Sequence, residues 1–83
     1  MASSVVPLSP IPELPTDDER RAYLLAEVQG LSDDEIGRLL RVRRETANRW
    51  RGACRRKLDR LRADWPEVAG PIIDAITATQ PAA

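Results

Sequence analysis

The sequence contains no histidine and no phenylalanine, and only one cysteine, one tyrosine and two tryptophans. Without phenylalanine, a core has to be assembled from Leu, Ile, Val and Ala, a palette that suits helices. The lone cysteine, Cys54, excludes an intrachain disulfide and fits a reducing cytoplasm. The lack of histidine, of a glycine-rich phosphate loop, and of any Ser or Cys beside a plausible base argues against an enzyme. So does size: 83 residues form one small domain with a marginal core, too small to enclose a substrate pocket of ~300 Å³. Long hydrophobic runs are missing too. No segment approaches the ~18 apolar residues of a membrane span, and residues 1–15 lack the basic start and apolar run of a leader. The expectation is a soluble cytoplasmic protein with no membrane partner, cofactor or metal.

Net charge is also lacking, but only because the charge is sorted along the chain. Thirteen Lys and Arg balance thirteen Asp and Glu. Residues 1–37 hold two cations against eight acids, residues 38–62 eleven cations against two acids, and residues 63–83 three acids alone. The local field decides whether a polyanion binds, and the middle third is strongly positive.

Residues 1–15 carry prolines at 7, 10, 12 and 15, which forbid helix and favour an extended, flexible arm. Val5, Val6, Leu8, Ile11 and Leu14 give that arm some apolar character. The domain proper is expected over 16–65. Thr16 and Glu19 form a capping-box pattern, Asp17 and Asp18 suit the positive end of a helix dipole, and Gly30 ends the helix. Leu24, Leu25 and Val28, with Ala22 or Tyr23, supply its apolar face. Ser32 and Glu35 repeat the capping pattern, and Ile36, Leu39 and Leu40 give a short second helix a buried face. After Arg41-Val42-Arg43, a third helix is predicted over 44–64. Its apolar positions Ala47, Trp50, Cys54, Leu58, Leu61 and Trp65 are three or four residues apart, one continuous stripe. Pro66 stops that helix or starts the next segment. Pro71 is placed as the first residue of a short C-terminal helix within 66–83, with Ile72, Ile73 and Ile76 as its apolar set. Pro81 and the alanines after it are expected to fray.

Two short helices, a three-residue turn and a longer basic helix follow helix-turn-helix grammar in an all-α domain. The stretch LSDDEIGRLLRVRRETANRW resembles region 4 of bacterial sigma factors and the similar domain of response regulators. Leu31, Ser32, Glu35, Ile36, Leu39 or Leu40, Val42 and Thr46 match that pattern. Arg55-Arg56-Lys57-Leu58 resembles the basic segment that sigma factors carry next in the chain. Thr46-Ala47-Asn48-Arg49-Trp50 is also similar to the recognition helix of the homeodomain-like units of transposases and phage terminase small subunits. The resemblance covers Leu31 to Leu58. Three positions depart from it. Arg41 stands where a turn glycine is usual, at a site that often needs a left-handed conformation costing arginine about 1 kcal/mol. Gly37 replaces the usual alanine, and Arg43 the usual serine cap.

The third helix breaks a rule that the first two obey. Arg43 and Arg44 place cations at a helix start, where the dipole disfavours them and where a phosphate would reverse the sign. Arg44, Asn48, Arg51 and Arg55 share one helical face, and Glu45, Arg49 and Arg56 lie beside it. If this helix enters a major groove, Arg44, Asn48 and Arg49 are the base-reading candidates, since Arg suits guanine and Asn suits adenine. Glu45 accepts from a cytosine amino group or orients Arg49. Arg41, Arg43, Thr46, Arg51, Arg55, Arg56 and Lys57 are read as phosphate contacts, with Arg38 near the turn. Trp50 and Cys54 read as core residues, and the acids at 33–35 as capping residues, not metal ligands.

These residues imply a small double-stranded DNA binder acting in transcription regulation, quite in keeping with a phage-borne protein. Leu61, Trp65, Ile72, Ile73 and Ile76 are left to cover. They pack within the chain, or on a second copy in a homodimer that would present two half-sites. The resemblance to sigma region 4 implies docking on RNA polymerase or another transcription protein as an alternative, and the likeness to transposases and terminase small subunits implies DNA recognition that recruits a packaging or transposition machine.

Overall fold

The computed structural model describes residues 12–78. Most of the flexible arm expected over residues 1–15, and the frayed end from Pro81, lie outside the described residues. Four helices run in order: α1 (Asp17–Glu27), α2 (Asp33–Leu40), α3 (Arg44–Asp64) and α4 (Pro66–Ala78). No strand occurs among the described residues, and none of these helices is long and apolar enough to cross a membrane.

Side chains set the first two helix starts. Thr16 Oγ1 accepts from the Glu19 amide at 3.2 Å while the Thr16 amide donates to Glu19 Oε1 at 3.0 Å. Ser32 and Glu35 repeat this at 3.2 and 2.8 Å. Each pair satisfies two amides that a helix start leaves open. At the end of α1, Gly30 takes φ 72°. The Gly30 amide donates to Ala26 O at 3.1 Å, the bond of a left-handed αL cap, and the Leu31 amide reaches back to Leu25 O at 3.0 Å.

The α2–α3 turn is the tightest joint. Arg41 adopts the left-handed conformation, φ 62° and ψ 46°, as its place in the turn predicts. Gly37 lets this turn close: a methyl there would lie 2.7 Å from Val42 O and 3.3 Å from the Arg44 nitrogen, both backbone atoms. The Val42 amide donates to Gly37 O at 2.8 Å across the same gap. Gly37→Ala is therefore expected to destabilise the fold by about 1–3 kcal/mol, despite alanine's better helix propensity. A lowered urea midpoint would register this.

α3 is the spine. Its first half packs on α1 and α2 through Ala22, Leu25, Ile36 and Ala47, flanked by Ala26, Leu31, Leu40, Val42 and Trp50. Its second half packs on α4 through Cys54, Leu58 and Ile76, flanked by Tyr23, Ile72 and Ile73. Burial pushes the Cys54 thiol up to about 11, so it stays a neutral apolar plug.

Several expectations change. Val28 and Leu39 are half exposed, at 49% and 53%, because α1 and α2 pack on one side only and these two fall beyond the contact. Ala53, absent from the apolar stripe read in the sequence, is buried. α4 begins at Pro66, and Pro71 lies inside it rather than at its start. The Trp65 carbonyl accepts from Val68 and Ala69 at 3.1 and 2.9 Å, which opens α4 directly behind α3. Pro71 costs α4 the bond its nitrogen would have made to Glu67 O, and burial of Ala69 and Ile76 offsets the loss. Leu61 and Ile76 are buried within the chain, at 2% and 9% exposure, and Ile72, Ile73 and Trp65 are partly covered. Packing within the chain thus buries two of these five residues and covers the other three in part.

Candidate nucleic-acid interface

The N-terminal half of α3 and the turn before it carry the candidate residues. Ala47 and Cys54 are fully buried and Trp50 is partly so, which fixes which way this half of the helix faces. Arg44, Glu45, Asn48, Arg49, Arg55 and Arg56 are all exposed on the other side. Arg41 and Arg43 are exposed beside them, and Arg43 caps α3 with its backbone alone. Thr46 is half-buried on the flank nearer the core.

The cations divide into two sets. Among the described residues, Arg21, Arg38, Arg41, Arg43, Arg49, Arg55 and Arg56 form no ion pair with a carboxylate, although Arg38 is near enough to Glu35 to help lower its pKa. Arg44 lies 3.8 Å from Glu45, a fully solvated pairing that restrains neither. That contact replaces the Glu45–Arg49 pairing expected from helical spacing. Further along α3, Arg60 pairs with Asp64 and Arg62 with Asp59, so the second half neutralises itself. Apart from Arg21 on α1, the unpaired cations run from Arg38 at the end of α2 through the turn and the first three turns or so of α3.

Three residues of the predicted set are engaged inside the protein. Asp33, in the first turn of α2, accepts from Asn48 Nδ2 at 2.9 Å, from Arg51 Nε at 3.0 Å and from Arg51 Nη2 at 3.2 Å. The Asn48 bond, aided by Arg51, holds the Asp33 carboxyl below its ordinary value. Arg51 is thus a bracket between α2 and α3. Asn48 keeps Oδ1 and one amide hydrogen free, enough for a two-point contact with adenine. Lys57 turns away from the exposed face to α1, where Nζ donates to Glu19 Oε1 at 2.7 Å with Glu13 at 3.8 Å. The Glu19 hydrogen bond pushes the Lys57 ammonium pKa up. Burial works against the Glu19 carboxylate, but the bonds from Lys57 and Thr16 leave its pKa lowered. The same oxygen, Glu19 Oε1, therefore closes the α1 cap and anchors α3.

Both carboxyls, Asp33 and Glu19, have depressed values in the folded state. The links they make are complete above about pH 4 and are lost as acid protonates them. Asp33→Ala is expected to destabilise by about 1 kcal/mol after allowance for solvent screening, measured by urea unfolding at pH 7, and by less at pH 3.

Comparison with family models, with curated proteins and with solved structures finds no match to this chain. The functional reading rests on the geometry above.

Proposed function

We propose that the protein is a sequence-specific double-stranded DNA binder that acts in transcription regulation, laying the first half of α3 in the major groove. One observation carries this reading: of the seven arginines without an ion pair among the described residues, all but Arg21 on α1 run from Arg38 at the end of α2 through the turn to the outward side of α3, while Arg51, Lys57, Arg60 and Arg62 are matched within the chain. A merely solvated basic helix has no reason to sort its cations in this way.

Arg44, Asn48 and Arg49 are the base-reading group, with Glu45 beside them. Arg41, Arg43, Arg55 and Arg56 reach the phosphates. Arg51 and Lys57 drop out of the phosphate set because their own carboxylates hold them. Asp33 enters as a positioning residue: it fixes the amide of Asn48 before DNA arrives. On this reading Asp33→Ala loosens discrimination at one base pair while affinity for random duplex holds or rises, since a carboxylate is removed and Arg51 is released.

The residues the sequence offered to a second copy or to RNA polymerase are largely used within the chain, so neither partner gains support from them. The test is selection from a random duplex library by the purified protein at two salt concentrations. The expected outcome is one enriched motif, bound more tightly at the lower salt. No enrichment, with no retention at low salt, would sink the proposal.

A further inference from the structure

The chain has four glycines, and three have a reason inside the fold. Gly30 takes a left-handed φ and Gly37 admits the turn. Gly70 precedes Pro71 within α4, where a side chain would press on the proline ring. Gly52 has no such reason. It sits inside α3. A methyl at Gly52 would meet only Arg56 Nη1, at 3.4 Å, the far end of a movable side chain. Alanine would fit, and it would favour the helix. The chain forgoes that stability with no return in its own packing.

The position of Gly52 supplies the return. It lies one turn beyond Asn48 and Arg49, two beyond Glu45, and one before Arg55 and Arg56. All five are exposed, and the three arginines have no carboxylate partner among the described residues. Gly52 is therefore the bare point at the middle of the cationic face. A glycine is the residue that lets a backbone come close to a ligand. Resting on the DNA-binding reading, we infer that Gly52 is where α3 comes closest to the duplex. The missing side chain admits the wall of the groove against the helix backbone, and Arg55 and Arg56 grip the phosphates beside it. Depth of insertion, and with it the reach of Arg44, Asn48 and Arg49 to base edges, is set at this residue.

The inference predicts effects of opposite sign. In the full chain, Gly52→Ala raises the unfolding midpoint by about 4–8 °C. It weakens binding to the selected duplex by roughly tenfold, and Gly52→Leu weakens it by a further tenfold or more. Circular dichroism of both variants shows no loss of helix. Wild-type affinity in Gly52→Ala would overturn the inference while leaving DNA binding itself intact. A lowered midpoint for Gly52→Ala would overturn it too, by revealing an internal need for glycine. A change in sedimentation mass with unchanged DNA affinity would assign Gly52 to contact between copies instead. Wild-type protein that retains no duplex at low salt removes both the inference and the reading beneath it.

Discussion

Replacing Arg44 and Arg49 together by glutamate is expected to lower affinity for the selected duplex by at least about 100-fold. A good side-chain contact to a base edge is worth about 1–3 kcal/mol, so losing two costs roughly 30-fold or more before repulsion is counted. Each glutamate then adds a negative charge facing phosphates, in a cleft where water screens it less than in bulk. The fold should not suffer. Both side chains are exposed, and neither has a partner that restrains it. Glutamate at 44 also obeys the helix dipole that arginine violates, so a slight gain in stability is expected. Loss of retention with an intact unfolding transition is the result that counts. A double variant that still holds the duplex would show that this end of α3 does not meet DNA.

Leu58→Ala should be the most damaging core substitution in the C-terminal half. Leu58 is 1% exposed and sits between Cys54 on its own helix and Ile76 on α4. Truncating a buried leucine costs about 2–5 kcal/mol, the larger part when the site cannot collapse. Domains hold only about 5–15 kcal/mol in total, and one this short belongs at the low end. A large unfolded fraction at 37 °C is therefore expected, measured by thermal or urea unfolding. Val68→Ala, on an exposed side of the same region, should shift stability by no more than about 0.5 kcal/mol. Because α4 packs on α3 of its own chain, unfolding of both variants should not depend on protein concentration. A concentration-dependent midpoint would mean that a second copy completes this cluster.

Much of this is legible in the sequence, for reasons specific to particular residues. Thr16/Glu19 and Ser32/Glu35 are local patterns whose partners are three residues apart, so the starts of α1 and α2 need no tertiary knowledge. The stripe from Ala47 to Leu61 fixes the inward face of α3, and by subtraction the outward face as well. Arg41 is left-handed because the turn demands it. The start of α4 is misread because a proline signals a helix start by local rules, and only burial against α3 makes it tolerable inside. Val28 and Leu39 have helical spacing but fall outside the contact that α1 and α2 make.

The site is less legible, since charge pairing is tertiary. Asp33 looks like another first-turn acid. Its phase with Ile36, Gly37 and Leu40 puts it on the side of α2 that faces α3, and this is the available signal. Asp34, one residue on, shares the outer side with Arg38. Lys57 counts with the basic run, yet it lies seven residues from Trp50 and four from Leu61, both inward positions. Gly52 gives no pattern at all. Its meaning depends on knowing that only the movable end of Arg56 lies over it.

The most direct test of the central claim is the salt dependence of binding to the selected duplex. Four arginines, at 41, 43, 55 and 56, are assigned to phosphates, and Arg51 and Lys57 are withheld by Asp33 and Glu19. Four phosphate contacts predict a slope of log K against log salt of about −3.6. Six, with the two withheld residues restored, would give about −5.4. A slope near −3.6 is the expected result. Affinity that barely changes with salt would contradict the account, because the unpaired arginines would then not be meeting a polyanion.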